Sequence, residues 1–182
     1  MINPVQKSIL TTKPIKMPKG LIYNHPKSTV YHLIETETWK EIGKIDAFNM
    51  QSKNIKIYDT DKRKELFYIA SLFITPEKRN LGWGKYFMDF IKRESHKQGC
   101  EGRTFLIAHN QKKSPHIFYK KQEFITVDEE VNRELDEHIK NGTIPNQYEA
   151  MYMYLPPELF DKYKVEASPR PKKRLWDYIN YL

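Results

Sequence analysis

A single cysteine, Cys100, stands in 182 residues, so no internal disulfide framework is available and the fold must hold by packing alone. No apolar run reaches membrane-spanning length and the N-terminus carries no apolar signal core, which sets the expectation of a soluble chain in a reducing, cytoplasmic compartment with no membrane partner. No His/Cys cluster has the spacing of metal ligands, and no metal is expected. No internal repeat is visible either. Glycine is scarce, at seven residues, yet two of the seven fall within three positions, Gly82 and Gly84. What the chain has in quantity is charge: 30% of its residues, a formal net charge of +8 and a sequence pI of about 9.3. Such a balance favours anionic partners, nucleic acid and phosphate-rich cofactors alike.

The length suits one domain with a real core. Residues 1–28 hold Pro4, Pro14, Pro18 and Pro26 among scattered lysines and read as an extended arm. From Thr29 the texture becomes that of short antiparallel strands, near residues 30–37, 39–48 and 54–58. Residues 66–74 are apolar on both faces and predict a strand in the middle of a sheet. Phe87, Phe90 and Ile91 then form a helical stripe that stops at Gly99. Strand 104–108 follows, then a short helix opened by Ser114-Pro115 and running through Tyr119, then a strand at 124–127. Asp128 can cap a helix with Val131, Leu135 and Ile139 on one side and an acidic cluster elsewhere, closed by Asn141-Gly142. A last strand is expected at 148–155, and residues 156–182 form a basic, aromatic extension with a short helix near 159–163.

The junction Ile74-Thr-Pro-Glu-Lys-Arg-Asn-Leu-Gly-Trp-Gly-Lys85 carries the chemistry. The first turn of a helix leaves N–H groups without intrahelical partners, and the helix dipole is positive there, so an anion is favoured in front of it. Glycine lets backbone and anion approach closely. A strand, a phosphate-binding turn and a helix are therefore expected in sequence.

Three pieces in this order resemble the GCN5-related N-acetyltransferase (GNAT) family: Leu72-Phe-Ile-Thr-Pro76 with Arg79-Asn-Leu-Gly-Trp-Gly84, strand 104–108 with Asn110 behind it, and Phe118-Tyr-Lys-Lys-Gln-Glu-Phe124. The resemblance covers residues 29–155, taken as the acetyltransferase domain. It implies an α/β (α+β) fold with a mixed, mostly antiparallel twisted sheet flanked by helices, and acetyl-CoA as co-substrate. It also implies that the backbone of Asn80, Leu81, Gly82, Trp83, Gly84 and Lys85, with Arg79, holds the pyrophosphate. By the same resemblance the edge formed by Leu72, Phe73 and Ile74 bonds the pantetheine amides, Asn110 lies near the pantetheine arm, and Tyr119 is the general acid at the sulfur. Glu123 stands where the family has glycine, and Ser71 where many members have a strand glutamate used as base. Glu65, Asp46, His109 or a water molecule are left as candidates for that base.

Transfer of an acetyl group from a thioester to a primary amine of an unidentified small-molecule or protein acceptor is thus the leading expectation. The alternative is an RNA-binding module on the same fold, drawn from the pI, the twelve tyrosines and the basic tail, although no RNP-like or KH-like run supports it. Each residue also has a plain reading: a core tyrosine at 119, a turn cap at Asn110, core contacts at Trp83, Phe87 and Ile91, and a solvated acidic face after Asp128.

Overall fold

The computed structural model describes residues 19–25, 28–51, 65–109, 115–145, 148 and 150–164. Six strands lie side by side in sequence order: β1 (Gly20–Asn24), β2 (Val30–Glu35), β3 (Lys40–Gln51), β4 (Glu65–Ile74), β5 (Thr104–Ala108) and β6 (Met151–Tyr154). All neighbours are antiparallel except β4 and β5, which are parallel because helix α1 (Trp83–Lys97) carries the chain back between them. Helices α2 (Pro115–Lys121) and α3 (Glu129–Asn141) follow β5.

Alternation along the strands sorts the two faces of the sheet. Leu33, Ile45, Ala47, Ile69, Leu106 and Met153 join one core with Phe87 and Ile91 of α1 and Leu135 of α3, and Ile117, Phe118 and Tyr119 of α2 pack against it. The helices therefore crowd one face. On the other, Lys44, Ser71, Phe73 and Tyr152 are exposed, and among the described residues a small cluster around Leu66 and Phe105 packs at one end.

The helices end where local chemistry predicts. Asp128 accepts from the N–H groups of Glu130 at 2.9 Å and Val131 at 3.2 Å, and Gly142, at φ 64°, closes α3. Gly99, at φ 82°, lies just beyond α1.

Four sequence expectations need correction. Residues 20–24, assigned to the arm, form the edge strand β1, with Tyr86 Oη donating to the Gly20 carbonyl at 2.6 Å. The strand at 124–127 shrinks to one bridge, Ile125 to Tyr154, because the Asn132 side chain takes the Thr126 backbone on both sides, at 3.0 Å and 2.8 Å. The last strand begins at Met151 rather than 148, and Tyr148 instead donates its hydroxyl to Glu134 at 2.7 Å. The segment 159–163 is two 3-10 turns, Pro157–Leu159 and Asp161–Tyr163, and Tyr163 is buried in the main core, so the packed body runs past residue 155. The strand expected at 54–58, together with Asn110, Ser114 and the basic tail, lies outside the described residues.

Candidate functional site

Strand β4 is irregular where it matters. Ile69 faces Ala47 and Ser71 faces Asp46, so Ala70 is an extra residue that bulges from the pairing with β3. On the other side, pairing with β5 runs only from Phe67–Thr104 to Ile69–Leu106. Beyond the bulge β4 stays with β3 while β5 follows β6 to Ala108, and the two parallel strands part. A sheet that opens in its middle leaves main-chain donors and acceptors of β4 facing a slot, where an extended amide-bearing ligand can use them.

At the end of β4 the chain makes a 3-10 turn, Pro76–Lys78, and then enters α1 through Asn80 at φ 61° and Gly82 at φ 85°. Gly82 is the N-cap, no side chain caps the helix, and its first turn has no carboxylate. Tyr86 N–H bonds the Gly82 carbonyl at 3.0 Å, so the N–H groups of Trp83, Gly84 and Lys85 before it begin the helix without intrahelical acceptors. These groups and the helix dipole make the end of α1 attractive to an anion.

The side chains around this turn divide into two kinds. Arg79 Nε donates to the Ile74 carbonyl at 2.9 Å and its guanidinium lies 5.9 Å from the centre of the Phe73 ring, so it braces the turn against the strand end and keeps further N–H groups in reserve. Lys85 pairs with Asp89 at 2.7 Å, and Leu81 is exposed. Trp83 and Ile74 are buried in the core, and Leu72 is partly buried against it, whereas Phe73 is 48% exposed on the helix-free face. At Trp83 only the backbone faces the turn's chemistry. Gly84 has a different neighbour from the one expected: a Cβ there would lie 3.0 Å from the Phe118 ring, so the glycine admits α2 against the start of α1.

The next residue on α2 is Tyr119. Its ring packs at 5.2 Å from Phe118 and 6.4 Å from Phe124, and burial pushes its phenol up to about 12. Phe118 thus touches both the start of α1 and Tyr119.

Of the three base candidates, Glu65 lies at the opposite end of β4 and accepts from Asn49 at 2.8 Å, and His109 is exposed just past β5. Asp46 alone lies at the bulge, directly across from Ser71. Sequence reading gave it no preference, since a bulge belongs to a pair of strands and is written in neither. The acidic helix α3 is partly engaged, through Tyr148 to Glu134 and through an ion pair of 3.1 Å between Lys120 and Asp136, which ties it to α2. No cluster that could hold a metal ion and no helix fit to cross a membrane occurs among the described residues.

No curated protein matches the sequence. Among solved structures, the Bacillus subtilis N-acetyltransferase YlbP in complex with coenzyme A is 16% identical, with 72% of this chain and 69% of that one covered and a TM-score of 0.46. Arabidopsis thaliana NAA60 in complex with a bisubstrate analogue is 15% identical over 69% of this chain and 73% of its own, with a TM-score of 0.46. A mutant of the AtaT toxin, bound to the C-terminus of the antitoxin AtaR and to acetyl-CoA, is 17% identical over 73% of this chain and 69% of its own, with a TM-score of 0.44. The acetyltransferase (GNAT) domain matches residues 30–140, well over half of the sequence, and the chain belongs to the GNAT acetyltransferase family.

Proposed function

We propose that this protein is an acetyl-CoA-dependent N-acetyltransferase that moves the acetyl group from the thioester to a primary amine. The observation that carries the reading is the uncapped start of α1, placed by Gly82 at the end of a strand that parts from its parallel neighbour. In this reading the N–H groups of residues 80–85 hold the pyrophosphate, with Arg79 beside them, and the open edge of Leu72, Phe73 and Ile74 bonds the pantetheine amides. Asn110 is assigned to the pantetheine arm.

Tyr119 is assigned to the sulfur. Its pKa of about 12 keeps the phenol protonated throughout the neutral range. A thiol titrates near about 8.5, so full proton transfer from the Tyr119 phenol, which burial holds above its ordinary value, to the thiolate is uphill. The hydroxyl therefore serves as a hydrogen-bond donor that stabilises the thiolate as the C–S bond breaks, and the proton is finally supplied through water. Changing Tyr119→Phe is expected to lower kcat by roughly 10- to 1000-fold with little change in acetyl-CoA affinity.

The test is release of the CoA thiol from acetyl-CoA across a panel of aromatic and aliphatic amines, polyamines, aminoglycosides and peptides, with calorimetry of acetyl-CoA binding alongside. Binding with amine-dependent release supports the reading. A folded protein that shows neither would overturn it.

A further inference from the structure

The face of the sheet away from the helices carries a carboxylate that the fold leaves unused. Asp46 stands between Ile45 and Ala47, which are buried on the helical face, so its side chain is on the other one. It is half-buried, and Oδ1 is shielded from solvent with no hydrogen-bond partner. Lys44, two residues earlier on the same face, is the nearest cation in sequence. Lys44 turns instead to Glu41, at 3.2 Å, and Glu41 is shared with His32 at 2.7 Å. A buried carboxylate oxygen without a partner is costly, and such an atom persists where a ligand supplies the missing donor.

Its place in the sheet gives the ligand's nature. Asp46 is opposite Ser71, next to the bulge at Ala70, at the point where β4 and β5 part. Aromatic rings flank it along the strands: Phe48 and Tyr68, 5.5 Å apart, on one side, and Phe73 in register with Lys44 on the other. Across the opening Tyr152 is 46% exposed. A carboxylate between rings suits an ammonium group on a flat, apolar body, since charge meets charge at the centre while the rings cover the rest.

We propose that this face is the acceptor site, that it takes a primary amine borne on an aromatic body, and that Asp46 is the group that receives the amine's proton. The inference rests on the acetyltransferase reading above and adds to it a substrate class and a base. The amine arrives as an ammonium ion paired with Asp46 and loses one proton to water. Its nitrogen then forms the C–N bond at the thioester carbonyl. Attack makes that nitrogen cationic and acidic, and its surplus proton passes to Asp46. The C–S bond breaks, the thiolate takes a proton from water, and Asp46 returns its proton to solvent, leaving the amide and free CoA thiol.

The experiment uses the full chain with acetyl-CoA and three probes, tyramine, n-butylamine and spermidine. Wild type is expected to acetylate tyramine with kcat/KM at least about tenfold above n-butylamine. Asp46→Asn should lower kcat/KM for tyramine by about 100-fold or more, within the range general base catalysis contributes, while the acetyl-CoA Kd stays within about twofold. Phe73→Ala, at an exposed side chain, should narrow the preference for tyramine over n-butylamine with Asp46 intact. Full activity of Asp46→Asn, or a wild type that binds acetyl-CoA but ignores tyramine, overturns the inference and leaves the transferase reading standing. Failure to bind acetyl-CoA at all removes the transferase reading itself.

Discussion

Glu123 shows how a departure from the family's glycine is compensated. At φ 70° it adopts the left-handed conformation, which costs a residue with a Cβ about 1–2 kcal/mol. Its carboxylate accepts from the Tyr163 hydroxyl and from Lys162, and lies 3.4 Å from Nζ of Lys92, a side chain only 1% exposed. Burial alone would raise the Glu123 carboxyl, but the hydrogen bonds from Lys162 and Tyr163 and the nearby lysine charges hold it at about 2. Burial pulls the Lys92 ammonium downward, against the opposing pull of Glu123 and Asp89. Glu123→Gly would relieve the backbone yet strip a buried ammonium of a carboxylate partner. Lys92 keeps Asp89 at 3.7 Å and the Tyr163 hydroxyl at 2.9 Å, yet losing one carboxylate from a buried ammonium outweighs the conformational gain, so denaturant unfolding should show a loss on the order of 2 kcal/mol. A glycine variant more stable than wild type would mean that the ion pairs contribute little. The sign with pH follows from the depressed carboxyl. Its contribution is complete above the unfolded value near 4.3 and disappears as pH falls toward 2, so between about pH 5 and 3 wild type should lose stability more steeply than Glu123→Gln.

Between elements, the contact that seats α2 on the start of α1 is Phe118 on Gly84. A methyl group at Gly84 would meet the ring at 3.0 Å, closer than side chains ordinarily pack, so α2 would have to move and carry Tyr119 with it. A shift of that kind harms chemistry more than binding, and Gly84→Ala is expected to cut kcat by about 10- to 100-fold while the acetyl-CoA Kd changes by less than about threefold. Adding Phe118→Leu should restore part of the rate. Loss of affinity with an unchanged kcat would mean that Gly84 faces the anion, the role first read from its spacing. The difference illustrates what a single sequence can convey. Caps and glycine stops are local, which is why α3 from Asp128 to Gly142 and the end of α1 near Gly99 were legible. β1 was not, since five residues set between Pro18 and Pro26 resemble an arm until β2 pairs with them. The strand at 124–127 failed because Asn132, on another element, captured its backbone. The bulge at Ala70, and with it the prominence of Asp46 among three carboxylate and imidazole candidates, exists only once β3 and β4 are aligned.

For the molecule as a whole, the question is which anion its +8 charge serves. That value is the excess of 31 lysines and arginines over 23 acidic residues, and some of the bases already have acidic partners: Lys78 pairs with Glu35 at 2.6 Å, Lys85 with Asp89 at 2.7 Å and Lys120 with Asp136 at 3.1 Å. Binding to RNA would rest on many phosphate contacts, and its affinity would fall steeply with salt, with a logarithmic slope of about −0.7 for each phosphate neutralised on a single strand. Acetyl-CoA presents few phosphates and gains from main-chain N–H groups that are fixed by the fold, so its binding should survive moderate salt. A ligand that binds only the folded chain stabilises it by about 2.7 kcal/mol at a hundred times its Kd. For a chain of this size each 1 kcal/mol raises Tm by about 2–4 °C, so saturating acetyl-CoA should raise Tm by about 5–11 °C. The shift should persist, with at most a modest decrease, between 50 and 200 mM salt (about 14 and 7 Å of screening length), whereas any shift from poly(U) should vanish across the same interval. A Tm that responds to poly(U) at both salts and to acetyl-CoA at neither would show that the basic surface, rather than the turn at Gly82, is what the fold is built to use.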